Sequence, residues 1–134
     1  MDVSGSNILV ADDDRIVRRI VVAKLTGLGY NVAQVEDGQE ALEYLENGEV
    51  PDLLITDSLM PRMTGLEFVR AIRSSPDADL AGLPVIMLTS RQGEHDVIEG
   101  LETGLDDYVT KPFSPDELAA RVRAVLWRAR RERG

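Results

Sequence analysis

Four apolar runs in this 134-residue chain each end on polar residues that could work together at one site. Ile8-Leu9-Val10-Ala11 runs into Asp12-Asp13-Asp14, and Leu53-Leu54-Ile55-Thr56 runs into Asp57. Val85-Ile86-Met87-Leu88 runs into Thr89-Ser90, and Asp107-Tyr108-Val109-Thr110 runs into Lys111-Pro112. Carboxylates, a hydroxyl and an ammonium can together hold a divalent cation and receive a phosphoryl group. A carboxylate that attacks phosphorus becomes an acyl phosphate, a recognised form of nucleophilic catalysis. Magnesium prefers hard oxygen ligands and is commonly held by one or two carboxylates plus phosphate oxygens. A lysine supplies a point charge on a flexible stem, which suits a ligand that comes and goes. Each residue alone has an ordinary reading: Asp57 as a loop cap, Thr89 as a β-branched strand residue, Lys111 as a surface lysine.

The elements that would gather these residues can be read from periodicity. The first strand falls at about Asn7–Ala11. A helix follows from about Arg15, with Val17, Ile20, Val21, Leu25 and Leu28 at helical spacing. Asp14 is placed to cap it, and Gly27 and Gly29 supply its stop. Residues 30–35 alternate like a more exposed edge strand. Asp37-Gly38 makes a turn into a second helix carrying Ala41, Leu42 and Leu45, which ends at Asn47-Gly48. Residues 53–56 form a fully apolar third strand. Met60-Pro61 keeps the loop 58–64 out of helix. A third helix from about Gly65 buries Leu66, Val69 and Ile72, and residues 74–82 read as a polar loop. The fourth strand spans about 84–88. A fourth helix at about 94–103 has a thin apolar face of Val97, Ile98 and Leu101, so it should be the loosest element. Gly104 stops it. After a fifth strand at Asp107–Thr110, Ser114, Pro115 and Glu117 form the start signal of a last helix. That helix buries Leu118, Val122, Val125 and Leu126. Five strands alternating with five helices predict an α/β fold with a parallel sheet. Such sheets carry their active crevice at the carboxyl ends of the strands.

Length suits one domain with a sizeable core, read as residues 1–128, with 129–134 a basic tail or the start of a linker. The chain has no cysteine, which excludes disulfides and thiolate metal sites, and its single His95 excludes a multi-histidine zinc site. No apolar run approaches the roughly 20 residues of a membrane span. The short polar start, Met1 to Ser6, is not a signal peptide, so the cytoplasm is the expected location. Net charge is −9 and unevenly spread: residues 121–134 carry six Arg against Glu132, leaving −14 on residues 1–120. An acidic body argues against direct nucleic-acid binding. The basic end could touch nucleic acid, but the favoured reading is a solvated helix turn whose Arg side chains complement the helix dipole.

The segments ILVADDD with Arg18 following, LLITDSLMPRMTG, PVIMLTS and DDYVTKPF resemble, in order and spacing, the receiver domain of two-component response regulators. The resemblance runs from about Ile8 to Leu126. It implies a flavodoxin-like three-layer fold with a five-stranded parallel sheet in the order 2-1-3-4-5. It further implies that Asp57 accepts a phosphoryl group from a histidine kinase or phosphotransfer protein. Asp12 and Asp13 would be the acidic pair for Mg²⁺. Asp13 and Asp57 would ligate directly, Asp12 through water, and the backbone carbonyl of Leu59 would complete the set. Lys111, with a cis peptide bond to Pro112, and Thr89 would hold the phosphoryl oxygens, and Thr89 and Tyr108 would form the switch. Such a protein catalyses only its own phosphorylation and dephosphorylation. The chain departs from the common pattern at Thr64-Gly65, where the family often has Asp before the glycine. Leu59 and Arg91 flank the route of an attacking water, which implies slow autodephosphorylation.

The segment from Leu101 to Arg128 is similar to receivers joined to winged-helix DNA-binding domains. That likeness implies a two-fold dimer through the fourth helix, fifth strand and fifth helix, with Asp106, Asp107, Arg121 and Arg123 pairing across it. The alternative is a set of solvated charges or pairs within one chain, each worth little. The chain is then either a fragment whose C-terminal effector lies elsewhere or a stand-alone receiver. Two rivals carry less weight. A haloacid-dehalogenase-type phosphatase needs a second Asp two residues after the nucleophile for acid–base work, where this chain has Leu59. A flavodoxin-like cofactor binder needs a phosphate-cradling loop after the first strand, where this chain has three Asp.

Overall fold

The computed structural model describes residues 2–90 and 102–132. Five strands form one parallel sheet in the order β2-β1-β3-β4-β5: β1 Asn7–Ala11, β2 Asn31–Val35, β3 Leu53–Asp57, β4 Val85–Thr89 and β5 Asp107–Thr110. Around it lie α1 Arg15–Gly27, α2 Gly38–Asn47, α3 Gly65–Arg73, α4 Ala78–Ala81 and α5 Pro115–Glu132. The predicted strand order and connectivity are observed. Residues 94–101 of the predicted fourth helix, with His95, Val97, Ile98 and Leu101, lie outside the described residues, as does Arg91.

Both faces of the sheet are covered, so its central strands read as unbroken apolar runs. Alternate side chains point to opposite faces. Ile8, Val10, Leu53, Ile55, Ile86, Leu88 and Val109 pack with α1 and α5 in one core cluster. Leu9, Ala11, Leu54, Val85 and Met87 pack with α2, α3 and α4 in the other.

Capping chemistry sets the helix ends. Asp14 accepts from the backbone N–H groups of Ile16 and Val17 and opens α1, as its position predicts. Asp37 opens α2 by accepting from Glu40 N. Thr64 and Glu67 form a reciprocal capping box at α3, and Ser114 Oγ accepts from Glu117 N at α5. Gly29 and Gly104 adopt φ of +95° and +94°, the left-handed conformation that ends a helix.

Three local expectations need correction. Residues 74–82 are not all loop, because Asp77 caps the single turn α4 by accepting from Asp79 N and Leu80 N. The apolar face of α1 is narrower than its period predicts: Ile20 and Leu28 are exposed, and the buried stripe is Arg18, Val21 and Leu25. The N-terminal stretch is polar by composition, yet Val3 is buried against the α5 side of the core.

Arg73, at the end of α3, ties several segments together at the base of the sheet. Its Nη1 donates to the carbonyls of Ala81 (2.9 Å) and Leu83 (2.7 Å), and its Nη2 donates to that of Gly104 (2.8 Å). Asp106 stands 3.6 Å from the same guanidinium and accepts from Val85 N at 2.7 Å.

Candidate functional site

The site is assembled where β1, β3 and β4 end, with the β5–α5 turn beside them. Register does this work: Ala11 lies opposite Thr56, Asp57 opposite Leu88, and Thr89 opposite Thr110. Residues immediately past or at these positions therefore share one edge.

Asp12, Asp13 and Asp57 each offer a carboxylate oxygen, and these oxygens lie within 4.8 Å of one another. Asp12 is fully buried, Asp57 is 7% exposed and Asp13 is open to solvent. Asp12 Oδ1 accepts from Asp14 N at 2.8 Å. The Lys111 ammonium lies 3.3 Å from Asp12 Oδ2 and 3.3 Å from Asp57 Oδ1, so one cation bridges two strand ends. The peptide bond from Lys111 to Pro112 is cis, as the resemblance implies.

Electrostatics follow from that crowding. Burial pushes the Asp12 carboxyl up to about 6, and the Asp57 charge adds to the push while the Asp14 N–H and Lys111 oppose it. Asp13 is raised by burial and then by Asp57. Burial works against the Lys111 ammonium, but Asp12 and Asp57 outweigh it and hold its pKa above the ordinary lysine value. Clustered carboxylates whose ionised forms are disfavoured suit a bound cation, which would relieve their repulsion. Three hard oxygens, two of them on adjacent residues, fit magnesium chemistry.

Thr89 is 1% exposed and accepts a hydrogen bond from Ser58 Oγ at 2.9 Å. The backbone N–H of Lys111 donates to Thr89 O at 2.7 Å. Tyr108 is half-buried against the α2–α3 side of the core. It sits beside Met87 in register, one pleat from Thr89 on the same face of the sheet. Leu59 is exposed, in the loop that leaves Asp57.

That loop is held from both ends. Gly65 N donates to Ser58 O at 3.0 Å, and Ser58 N donates to Leu88 O at 3.0 Å. Arg62 adopts φ 69° and pairs its guanidinium with the buried Asp37. A Cβ on Gly65 would stand 2.3 Å from the Asp57 carbonyl oxygen and 3.0 Å from Met87 Cε.

The residues named for a dimer face are not gathered at this site. Asp107 pairs with Arg121 at 3.1 Å, and Arg121 also reaches Glu117 at 3.2 Å, all within one chain. Asp106 is engaged with Arg73 and Val85 N, and Arg123 is exposed.

Sequence reasoning missed Ser58 and Gly65 as neighbours of the site. Ser58 follows Asp57 directly, and its hydroxyl was the available signal. Gly65 stands in the sequence as a helix start and as the loop glycine of the family pattern, but its close approach to the Asp57 backbone leaves no mark in a single sequence.

A parallel α/β sheet with three carboxylates, a hydroxyl and an ammonium at its carboxyl edge defines a phosphorylation-dependent switch domain. Residues 8–123 match the family model of the response regulator receiver domain, and the chain belongs to that family. It is 43% identical over 127 residues to the response regulator MprA of Mycobacterium sp. (strain KMS), covering 95% of this chain and 53% of that protein. It is 46% identical over 121 residues to the probable transcriptional regulator ycf27 of Guillardia theta, covering 90% of this chain and 45% of that protein. The chain thus spans about half the length of these curated relatives. The solved structure of the chemotaxis response regulator CheY4 of Vibrio cholerae matches with a TM-score of 0.83 at 33% identity, covering 91% of this chain and 99% of that one. Receivers are signalling switches of two-component systems that work with histidine kinases. They generally use Mg²⁺ at an acidic pocket, and Asp12, Asp13 and Asp57 form an acidic cluster here. Among the described residues no helix is long and apolar enough to cross a membrane.

Proposed function

We propose that Asp57 is the phosphoryl acceptor of this switch and that Asp12, Asp13 and the Leu59 carbonyl hold Mg²⁺ with it. The observation that carries this reading is the Lys111 ammonium, which stands 3.3 Å from both Asp12 and Asp57. In the step itself an Asp57 oxygen forms a bond to the phosphorus of a phosphohistidine, the P–N bond breaks, and the imidazole leaves with the electron pair. Mg²⁺, when bound, neutralises phosphoryl oxygens. Lys111 supplies a second positive charge, and the Thr89 hydroxyl donates to the new group once it has turned from Ser58.

Incubation with acetyl phosphate and Mg²⁺, followed by intact-mass measurement, tests the assignment. A stable gain of one phosphoryl group, absent in Asp57→Asn, is expected. Steady release of phosphate without a stable adduct would point to a hydrolase instead. The exposed, apolar Leu59 offers no polar handle to an attacking water, so the adduct should persist for minutes or longer. A lifetime of seconds would overturn this.

Output passes through the surface around β5 and α5, with Thr89 and Tyr108 as its trigger. Phosphorylation promotes a two-fold dimer in which Asp106, Asp107, Arg121 and Arg123 exchange partners between chains. Sedimentation with and without beryllofluoride tests this, and an unchanged monomer counts against it. Relatives about twice as long, one of them named a probable transcriptional regulator, support an effector domain in the whole protein and a transcriptional output.

A further inference from the structure

We propose that Arg18 is a positioning residue for the carboxylate pair Asp12–Asp13 and thereby sets the affinity of the site for a divalent cation. The proposal rests on the reading of Asp12, Asp13 and Asp57 as a cation site. Arg18 heads the buried stripe of α1, where an apolar residue would be expected, and its side chain is only 11% exposed. A buried guanidinium needs partners, and this one has three. Its Nη1 donates to the backbone carbonyl of Asp12 at 2.8 Å, its Nε donates to Gln34 Oε1 at 3.0 Å, and Glu36 lies 3.6 Å from Nη2. Asp12 is the residue just past β1, whose N–H makes the last link to β2 through Val35 O at 3.3 Å. Its carbonyl has left the ladder, and Arg18 fixes it against the end of β2. The peptide plane of Asp12–Asp13 is thereby set from behind, while Asp14 N fixes the Asp12 carboxylate from in front at 2.8 Å. The fork of a guanidinium can serve two acceptors at fixed angles, which a lysine ammonium cannot reproduce. Groups that orient ligands without touching the metal typically change metal affinity by about 10–100-fold.

The test is Mg²⁺ titration by calorimetry on wild-type protein, Arg18→Lys, Arg18→Met, Asp13→Asn and Ile72→Val. Ile72 lies in the other core cluster, on α3, so Ile72→Val lowers the melting temperature without touching the loop. Both Arg18 variants should bind Mg²⁺ about tenfold more weakly or worse, and Ile72→Val should bind like wild type. Wild-type affinity in either Arg18 variant overturns the proposal, as does an equal loss in Ile72→Val. Should the Arg18 variants fail to fold, Gln34→Leu on the exposed edge strand decides. Weaker binding there supports the proposal, and unchanged binding overturns it. If wild-type protein binds no Mg²⁺, or Asp13→Asn binds as well as wild type, the cation reading itself falls and takes this inference with it.

Discussion

Gly65 presses on the back of Asp57: a side-chain carbon at position 65 would sit 2.3 Å from the Asp57 carbonyl oxygen. The start of α3 is thus seated against the strand end that presents the Asp57 carboxylate, and no L side chain fits between them. Because the obstacle is backbone, it cannot swing aside.

Gly65→Ala should therefore displace Asp57 and the Ser58–Thr89 pair together. Overpacking of this kind costs about 1–3 kcal/mol, so the melting temperature falls. The more specific outcome is a lower rate of phosphorylation by acetyl phosphate per folded molecule. A variant that loses stability but phosphorylates at the wild-type rate would show that the contact is only structural.

Asp12 makes the metal-free protein sensitive to pH. The folded chain holds its proton up to about pH 6 because the carboxyl is buried, with Asp57 adding to the effect, whereas an unfolded Asp titrates near about 4. Ionising Asp12 therefore costs folding energy. The cost is absent below about pH 4, grows through the interval and is complete above about 6, reaching on the order of 3 kcal/mol. Lowering the pH from 7 to 5 without metal should raise the melting temperature, and Asp12→Asn should reduce that slope, leaving the part that Asp13 contributes. Mg²⁺ affinity should fall over the same interval, since proton and cation compete. A flat melting profile for the metal-free wild type would contradict this.

Arg73→Ala should test the base of the sheet without touching the site. It strands three carbonyls and leaves Asp106 without its guanidinium. The set is only part-buried, and leaving such acceptors without their donor costs roughly 1–3 kcal/mol. Urea denaturation should show that loss, with Mg²⁺ affinity of the folded protein unchanged. A loss within experimental error would mean that water replaces the guanidinium freely.

Arg121→Ala separates stability from assembly. Its pairs with Asp107 and Glu117 are half-exposed, and pairs of this kind contribute about 0–1 kcal/mol. Thermal stability should hardly move. Beryllofluoride-promoted dimerisation, by contrast, should weaken, since Arg121 would exchange its partner for one on the other chain. Undiminished dimerisation would remove Arg121 from that interface.

Much of the fold was legible because it rests on local signals. Apolar runs marked the central strands, and caps such as Asp14 and Ser114 stand next to the helices they open. The carboxylates and Lys111 were legible because strand ends converge by topology. What escaped depends on contacts far apart in sequence. The burial of Arg18 is one case, since it depends on Gln34 and on a carbonyl that has left the ladder. Ile20 and Leu28 fit the helical period as well as Val21 and Leu25 do, and only the angle at which α1 meets the sheet separates them. The turn α4 is too short to show a period. Val3 is one apolar residue in a polar stretch, and its burial depends on joining the core cluster on the α1–α5 side of the sheet.

The division of the core into two compartments bears on how a signal can leave the site. Thr89 and Tyr108 belong to the α2–α3 side of the sheet, while α5 packs on the other side. A rearrangement of Thr89 thus enters one compartment and is insulated from α5 by a layer of backbone. Strand β5 is where the insulation is thinnest: Tyr108 faces one compartment, Val109 the other, and Asp107 is tied to Arg121 on α5. Conservative changes at the buried apolar positions of α1, such as Val21 and Leu25, would then retune stability without altering the message, whereas even conservative changes along β5 would change what is said.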